Sequence, residues 1–284
     1  MEKARRQVKG AAVSRELLPG TSPALLQELH LLTRQGDLNA DALRKLKQVN
    51  HLCGLLAPAV QDVLARFGDP VVADCGAGKS YLGFILYELF LKGAEKGRLL
   101  SVESRPELAR AAAERAVRLG FGRMAFQAAA IGQAELPERV HLVTALHACD
   151  TATDDAIALA VRHGADHVAV VPCCQAEVAR QLARGGGSDP ALAALHEHPI
   201  HRRELGSHLT NVVRALALEA KGYRVTVTEL TGWEHSLKNE LILGRKVRAR
   251  SAEAEAKLAR LLDAAGIAPA VTRLLGLAPA AAVG

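Results

Sequence analysis

From Pro70 onward the chain repeats one pattern: a short apolar run, a turn, then a stretch with helical spacing. The runs are residues 71–73, 98–102, 124–128, 141–146 and 167–171. Each run is strand-length and each intervening segment can hold a crossover helix, which is the signature of a parallel sheet covered by helices. A further helical segment, marked by Leu209, Val212, Val213 and Leu216, ends at Lys221-Gly222. Two more strands are expected after it, at 223–230 and 240–245, and the gap between them is too short for a helical crossover. That pair should therefore be antiparallel. The expectation is an α/β, Rossmann-like fold built on a seven-stranded, mostly parallel sheet with an antiparallel last strand.

The flanks read differently. Residues 21–66 look helical: Ser22-Pro23 is a good helix start, Leu25, Leu26, Leu29 and Leu32 recur at helical spacing, and Asn39 or Asp41 can begin a second helix through Leu43, Leu46 and Val49. Residues 251–284 are Ala-rich and helical before fraying. The division expected is a helical extension over 1–66, a main domain over 67–247 and a helical tail over 248–284. Within the main domain, residues 180–208 hold Gly185-Gly186-Gly187 and a His/Arg-rich run, read as a mobile insertion.

A chain of 284 residues can bury one full α/β core with extra helices, but hardly two large domains. Aromatics are only 3% of it, which leaves few rings for stacking on bases. A net charge of +6 permits a polyanionic partner without requiring one. No uncharged apolar stretch reaches the roughly 18 residues a membrane span needs. The five cysteines form no C-x-x-C pair and no secretory signal precedes them, so reduced thiols in a cytoplasmic protein are expected. No obligate protein partner is evident.

Residues 71–80 read Val-Val-Ala-Asp-Cys-Gly-Ala-Gly-Lys-Ser, placing two glycines where a strand turns into a helix. Glycine there lets backbone N–H groups approach a ligand closely. Glu103 ends the next strand, 29 residues after Asp74, where a carboxylate can take both hydroxyls of a ribose. Asp74 would act on a cofactor amino group, directly or through solvent. The rival is a phosphate loop, since Gly78-Lys79-Ser80 supplies its G-K-S end, although Ala73 stands where its first glycine belongs. Against it, Asp74 sets a carboxylate in a loop meant for phosphates. The strands ending at Leu146 and Val171 also run into His147 and Pro172, not into an acidic Mg²⁺ ligand. A nicotinamide site ranks last, because the glycine spacing is wrong for it.

Five segments together carry a resemblance. They are Lys45-Leu46-Lys47-Gln48, residues 74–82 around the glycine turn, residues 146–154 (Leu-His-Ala-Cys-Asp-Thr-Ala-Thr-Asp), Val171-Pro172-Cys173-Cys174-Gln175, and residues 238–242 (Lys-Asn-Glu-Leu-Ile). Over residues 45–246 the chain resembles the methyltransferase-domain family that includes eukaryotic tRNA ribose 2′-O-methyltransferases acting on the acceptor stem. The resemblance implies a class I methyltransferase fold with S-adenosylmethionine as cofactor, held by Lys47, Gln48, Asp74, Gly76, Gly78, Lys79, Glu103 and Leu146, and no resident metal. RNA is the implied partner. The chain departs from the tRNA enzymes at Gln175, where they carry histidine, and lacks their Cys/His zinc modules.

Candidate chemistry follows from placement. His147 lies just past the fourth strand, and an imidazole, whose unperturbed pKa is about 6.5, is suited to take a proton from an acceptor hydroxyl; shaping the pocket is the competing role. Lys238 and Asn239 enter the last strand and can orient an acceptor oxygen or a phosphate. Asp150 and Asp154 are expected to cap the helix that starts beside them. Cys173 and Cys174 follow the fifth strand, with no neighbouring cation in sequence to stabilise a thiolate. They are read as thiols lining the substrate side rather than as nucleophiles. Arg202 and Arg203 are candidate phosphate contacts. A nucleotide hydrolase using the G-K-S sequence and a non-catalytic accessory protein are the alternatives.

Overall fold

A computed structural model describes residues 22–33, 40–146, 148, 150–172, 175–184, 193–229 and 240–277. Seven strands form a sheet in the order β3-β2-β1-β4-β5-β7-β6: β1 (Val71–Cys75), β2 (Arg98–Glu103), β3 (Met124–Ala128), β4 (Leu142–Leu146), β5 (His167–Val171), β6 (Tyr223–Glu229) and β7 (Glu240–Lys246). β1 and β2, β2 and β3, and β4 and β5 pair in parallel, whereas β7 runs antiparallel to both β5 and β6. The expected sheet is therefore present, and its reversed strand is β7. The chain forms two compact units, residues 1–130 and 131–284.

In the first unit, α1 (Pro23–Glu28) starts as its sequence dictates. Ser22 caps it by accepting the Leu25 N–H at 3.2 Å, with Pro23 in the first turn. Ser22 also donates its N–H and hydroxyl to the buried Glu88 carboxylate, at 2.8 and 2.7 Å. The long α2 (Ala40–Arg66) packs on α3 (Tyr81–Leu86), which continues through a π-helical turn (Tyr87–Leu91) into α4 (Lys92–Ala94). α5 (Pro106–Arg118) covers β2 and β3. Few rings are available, and they are concentrated: Phe84 contacts Phe121 and Phe126, and Phe121 contacts Tyr87.

In the second unit, α6 (Ala152–Arg162) packs on β4 and β5. α7 (Glu177–Ala183) and α9 (Ala252–Ala265) pack on α8 (Pro199–Ala220), and α10 (Ala270–Leu274) contacts α6 and α8. The stretch expected to be an irregular insertion is largely helical where it is described. Arg180 lies in α7, and Arg202, Arg203 and His208 occupy the first turns of α8, which begins at Pro199. The overlooked signal was that proline, which is preorganised for a first helical turn. Gly185-Gly186-Gly187 lies outside the described residues.

α8 ends in a turn at Gly222, whose φ of +84° lies in the left-handed region. A Cβ there would stand 2.1 Å from the Arg248 carbonyl oxygen. Gly222→Ala is expected to cost about 3 kcal/mol or more, combining left-handed strain with a backbone clash. Gly120 shares the positive φ but has open space where its Cβ would stand, so Gly120→Ala should cost only about 1–2 kcal/mol. Chemical denaturation of both variants checks the difference; equal losses would remove the clash from the account.

Candidate active site

In the first unit, β1 delivers Asp74 and Cys75 into a turn of alternating left-handed residues: Gly76 (φ +64°), Gly78 (φ +58°) and Ser80 (φ +58°). Ser80 thus adopts the conformation a third glycine would take, at a strain cost of about 1–2 kcal/mol. Its hydroxyl hydrogen-bonds the Ser101 hydroxyl at 2.8 Å, with both residues buried. Asp74 is 2% exposed. Its Oδ2 would lie 3.1 Å from a Cβ built on Gly83, so the carboxylate packs against the backbone of α3. The Cys75 thiol is fully buried, and burial together with the Asp74 charge pushes its pKa up, so it stays protonated and inert.

The N–H groups of this turn face β2. Ala77 donates to the Val102 carbonyl at 3.1 Å, and Gly78 donates to Glu103 Oε2 at 2.7 Å. Ser80 N–H bonds back to the Ala77 carbonyl. A phosphate loop needs such groups converging on an anionic ligand and a free Ser/Thr hydroxyl for Mg²⁺. Here one loop N–H is already bound to a carboxylate and the Ser80 hydroxyl is tied to Ser101. This geometry does not suit a phosphate. Lys79 is exposed, and its carbonyl accepts from Arg115 at 3.4 Å. Lys47, on α2, is also exposed; the side chain of Gln48 lies outside the described residues.

Glu103 is 5% exposed and ends β2 as expected. Its Oε1 accepts the Arg105 N–H at 3.1 Å and Arg105 Nε at 2.7 Å, a partner the sequence reading missed. Burial pushes the carboxyl pKa up, but hydrogen bonds from the Arg105 side chain and from the Arg105 and Gly78 backbone outweigh it. The group is held below the usual carboxylate range. The residues present fit an adenosyl cofactor. The carboxylate is ionised and keeps acceptor capacity on Oε2 for a ribose hydroxyl, and the Arg105 side chain, 60% exposed, can swing off Oε1. A Cβ on Gly78 would meet only Arg105 Nη2, at 3.9 Å, so the turn is bare where a ligand must approach.

In the second unit, the residues after β4 and β5 meet α8 through a buried polar network. Arg214 and Asp154, 1% and 2% exposed, form an ion pair at 2.6 Å. Arg214 Nη2 also donates to the Asp150 carbonyl at 2.8 Å and Nη1 to Asn211 Oδ1 at 3.5 Å. Asn211 Nδ2 donates to Glu240 Oε2 at 2.7 Å, and Gln175 Nε2 donates to Asn211 Oδ1 at 2.9 Å. The Asp150 carboxylate takes the Ala176 N–H at 3.1 Å and Arg180 at 3.2 Å. The expectation that Asp150 and Asp154 cap α6 is corrected: Thr151 is the N-cap residue, without a side-chain cap bond, and both carboxylates are committed elsewhere. Removing one partner of a pair this buried costs about 3–5 kcal/mol, because the other charge is stranded. Asn211 and Arg214 were missed although they interrupt the face of α8 that Val213 and Leu216 mark as buried. Leu146 ends β4, half-buried. His147, Cys173, Cys174, Lys238 and Asn239 lie outside the described residues.

The lowered Glu103 pKa has a definite sign. The stability it contributes is fully present above the unfolded-chain value and is lost as pH falls through the lower folded value. Glu103→Gln, whose amide N–H would confront Gly78 or Arg105, is expected to melt below wild type at neutral pH, with the gap closing as the solution is acidified. Parallel melting curves across pH check this; a pH-independent gap would contradict the ionised assignment.

Residues 44–181, a little under half of the chain, match a family model described as a methyltransferase domain. No curated protein matches the sequence. Among solved structures, the chain is similar to a methyltransferase from Podospora anserina bound to S-adenosylhomocysteine, at 14% identity and TM-score 0.48, over 84% of this chain and 94% of that one. It is also similar to an rRNA methylase from Streptococcus thermophilus (10% identity, TM-score 0.46, 68% of this chain and 95% of that one). A third is the magnesium protoporphyrin IX methyltransferase of Synechocystis with bound S-adenosylmethionine (12% identity, TM-score 0.43, 72% and 83%). With the strand order, the family match marks residues 44–181 as a methyltransferase domain on a Rossmann-like sheet, with S-adenosylmethionine as its cofactor.

Proposed function

We propose that this methyltransferase acts on RNA, at an oxygen such as a ribose 2′-hydroxyl. The observation that carries the RNA reading is the basic start of α8. Arg203 is exposed and, among the described residues, pairs with its neighbour Glu204, a contact between two largely exposed groups that a phosphate displaces at little cost. Arg202 lies one residue earlier, its Nη1 on the carbonyls of His196 and Glu197, and the His198 and His201 rings meet edge to face beside it. The charge of +6 and pI near 9.2 agree with a polyanionic partner. No described helix is long and apolar enough to cross a membrane. A cytoplasmic setting suits the buried free thiols Cys53 and Cys75.

In this reading Glu103 holds the ribose of the cofactor, Gly76 and Gly78 admit it, Asp74 organises the turn, and Lys47, Gln48, Lys79 and Leu146 are the further cofactor-binding residues. The bound cofactor supplies an activated methyl group on sulfonium. The protein's own contribution is chiefly orientation, which can supply about 7–11 kcal/mol when reacting groups are held in line. His147 takes the proton that an acceptor hydroxyl must lose. Lys238 and Asn239 orient the acceptor, and Cys173 and Cys174 are taken as substrate-binding residues.

Incubation with methyl-labelled cofactor and total cellular RNA tests this directly. Label is expected in RNA for wild type and strongly reduced label for His147→Ala. Replacing Arg202 and Arg203 together by Ala is expected to weaken RNA binding and lower the slope of log affinity against log salt by roughly one to two, with cofactor affinity unchanged. An identical slope would remove both arginines from the RNA footprint, and label confined to protein or small molecules would overturn the RNA reading.

A further inference from the structure

Gln175 is 7% exposed and sits just after β5, at the carboxyl edge of the sheet. Its Nε2 donates to the Ser207 carbonyl at 3.2 Å and to Asn211 Oδ1 at 2.9 Å. Its Oε1 is the buried side-chain polar atom that, among the described residues, has no hydrogen-bond partner. Leaving such a buried acceptor without a partner is destabilising.

Flipping the amide does not remove the cost, because the orientation is dictated from outside. Arg214 can only donate, and its Nη1 faces Asn211 Oδ1; the Glu240 carboxylate can only accept, and Asn211 Nδ2 faces it. Asn211 is thereby locked, with its oxygen toward Gln175. A flipped Gln175 would set its own oxygen against that oxygen and against the Ser207 carbonyl. Arg214 is in turn fixed by Asp154, and the Asp150 carboxylate fastens the backbone at Ala176, next to Gln175. The arrangement is a rigid mount that fixes a buried, unpartnered neutral acceptor beside the carboxyl edge of the sheet, where ligands bind in open α/β sheets.

We propose that Gln175 Oε1 accepts a hydrogen bond from a neutral N–H or O–H group of the methyl acceptor, as a substrate-binding and specificity-determining residue. The proposal rests on the methyltransferase reading but not on RNA as the substrate: a nucleobase amide or amine, a ribose hydroxyl and a small-molecule hydroxyl all carry this donor. A site built to pair with a substrate N–H or O–H group discriminates strongly against acceptors that lack one.

The test uses the full chain as wild type, Gln175→Met and Gln175→His. Methionine matches the length of the side chain but carries no amide acceptor, whereas a neutral imidazole keeps one donor and one acceptor on opposite sides of its ring. Each protein is assayed with methyl-labelled cofactor against the RNA, protein and small-molecule fractions of a bacterial extract, while calorimetry follows S-adenosylhomocysteine binding. In whichever fraction wild type labels, Gln175→Met is expected to lose about tenfold or more in kcat/KM, with S-adenosylhomocysteine affinity within about twofold of wild type and with Gln175→His recovering most of the loss. A folded Gln175→Met with wild-type kcat/KM overturns the proposal, as does a His variant no better than Met. A tenfold loss of S-adenosylhomocysteine affinity would instead assign Oε1 to the cofactor. If wild type binds S-adenosylhomocysteine yet labels no fraction, the methyltransferase reading itself fails and this assignment falls with it.

Discussion

The bond from the Gly78 N–H to the Glu103 carboxylate decides what the glycine turn can be. A turn rich in small residues after a buried strand suits either a nucleoside or a phosphate. Once a loop N–H is spent on a carboxylate, the turn has lost a donor and gained a negative charge, and a phosphate is repelled where a ribose hydroxyl is welcomed. The same bond ties the end of β1 to the end of β2, adding to the Ala77 contact with Val102, so the turn is held open before any ligand arrives. Such preorganisation is what a reaction dominated by positioning requires.

The second unit solves a different problem with buried charge. A buried ion pair such as Arg214 and Asp154 is often no more stabilising than well-packed apolar side chains, so stability alone does not explain it. What the pair does is direct hydrogen bonds: Arg214 faces Asn211, Asn211 faces Gln175, and the residues after β4 and β5 are held to α8. The resulting order extends to side chains whose orientation would otherwise be free.

Much of this was legible in the residues. β3 and β5 occupy the expected positions because short apolar runs flanked by turns have few alternatives, and the closing antiparallel pairing followed from a connection too short for a crossover. Glu103 could be placed at the end of β2 from the apolar run alone. The buried network could not: Asp154 near a helix start looks like a cap, and nothing local reveals that Arg214, far along the chain, has taken its charge. Arg105 was missed for a related reason, since an exposed arginine after a strand is ordinary until its partner is seen. The start of α8 was obscured by the glycine and histidine content around it, although Pro199 marked it.

The central claim is that residues 74–80 form an adenosyl-cofactor turn and not a phosphate loop. Thermal unfolding of the full chain with S-adenosylhomocysteine in one series and ATP-Mg²⁺ in another tests it most directly, because a ligand bound only by the folded state stabilises it by about 2.7 kcal/mol at a hundredfold excess over Kd. The account predicts a melting temperature that rises with S-adenosylhomocysteine concentration and is unmoved by ATP-Mg²⁺. A rise with ATP-Mg²⁺ and none with S-adenosylhomocysteine would contradict it.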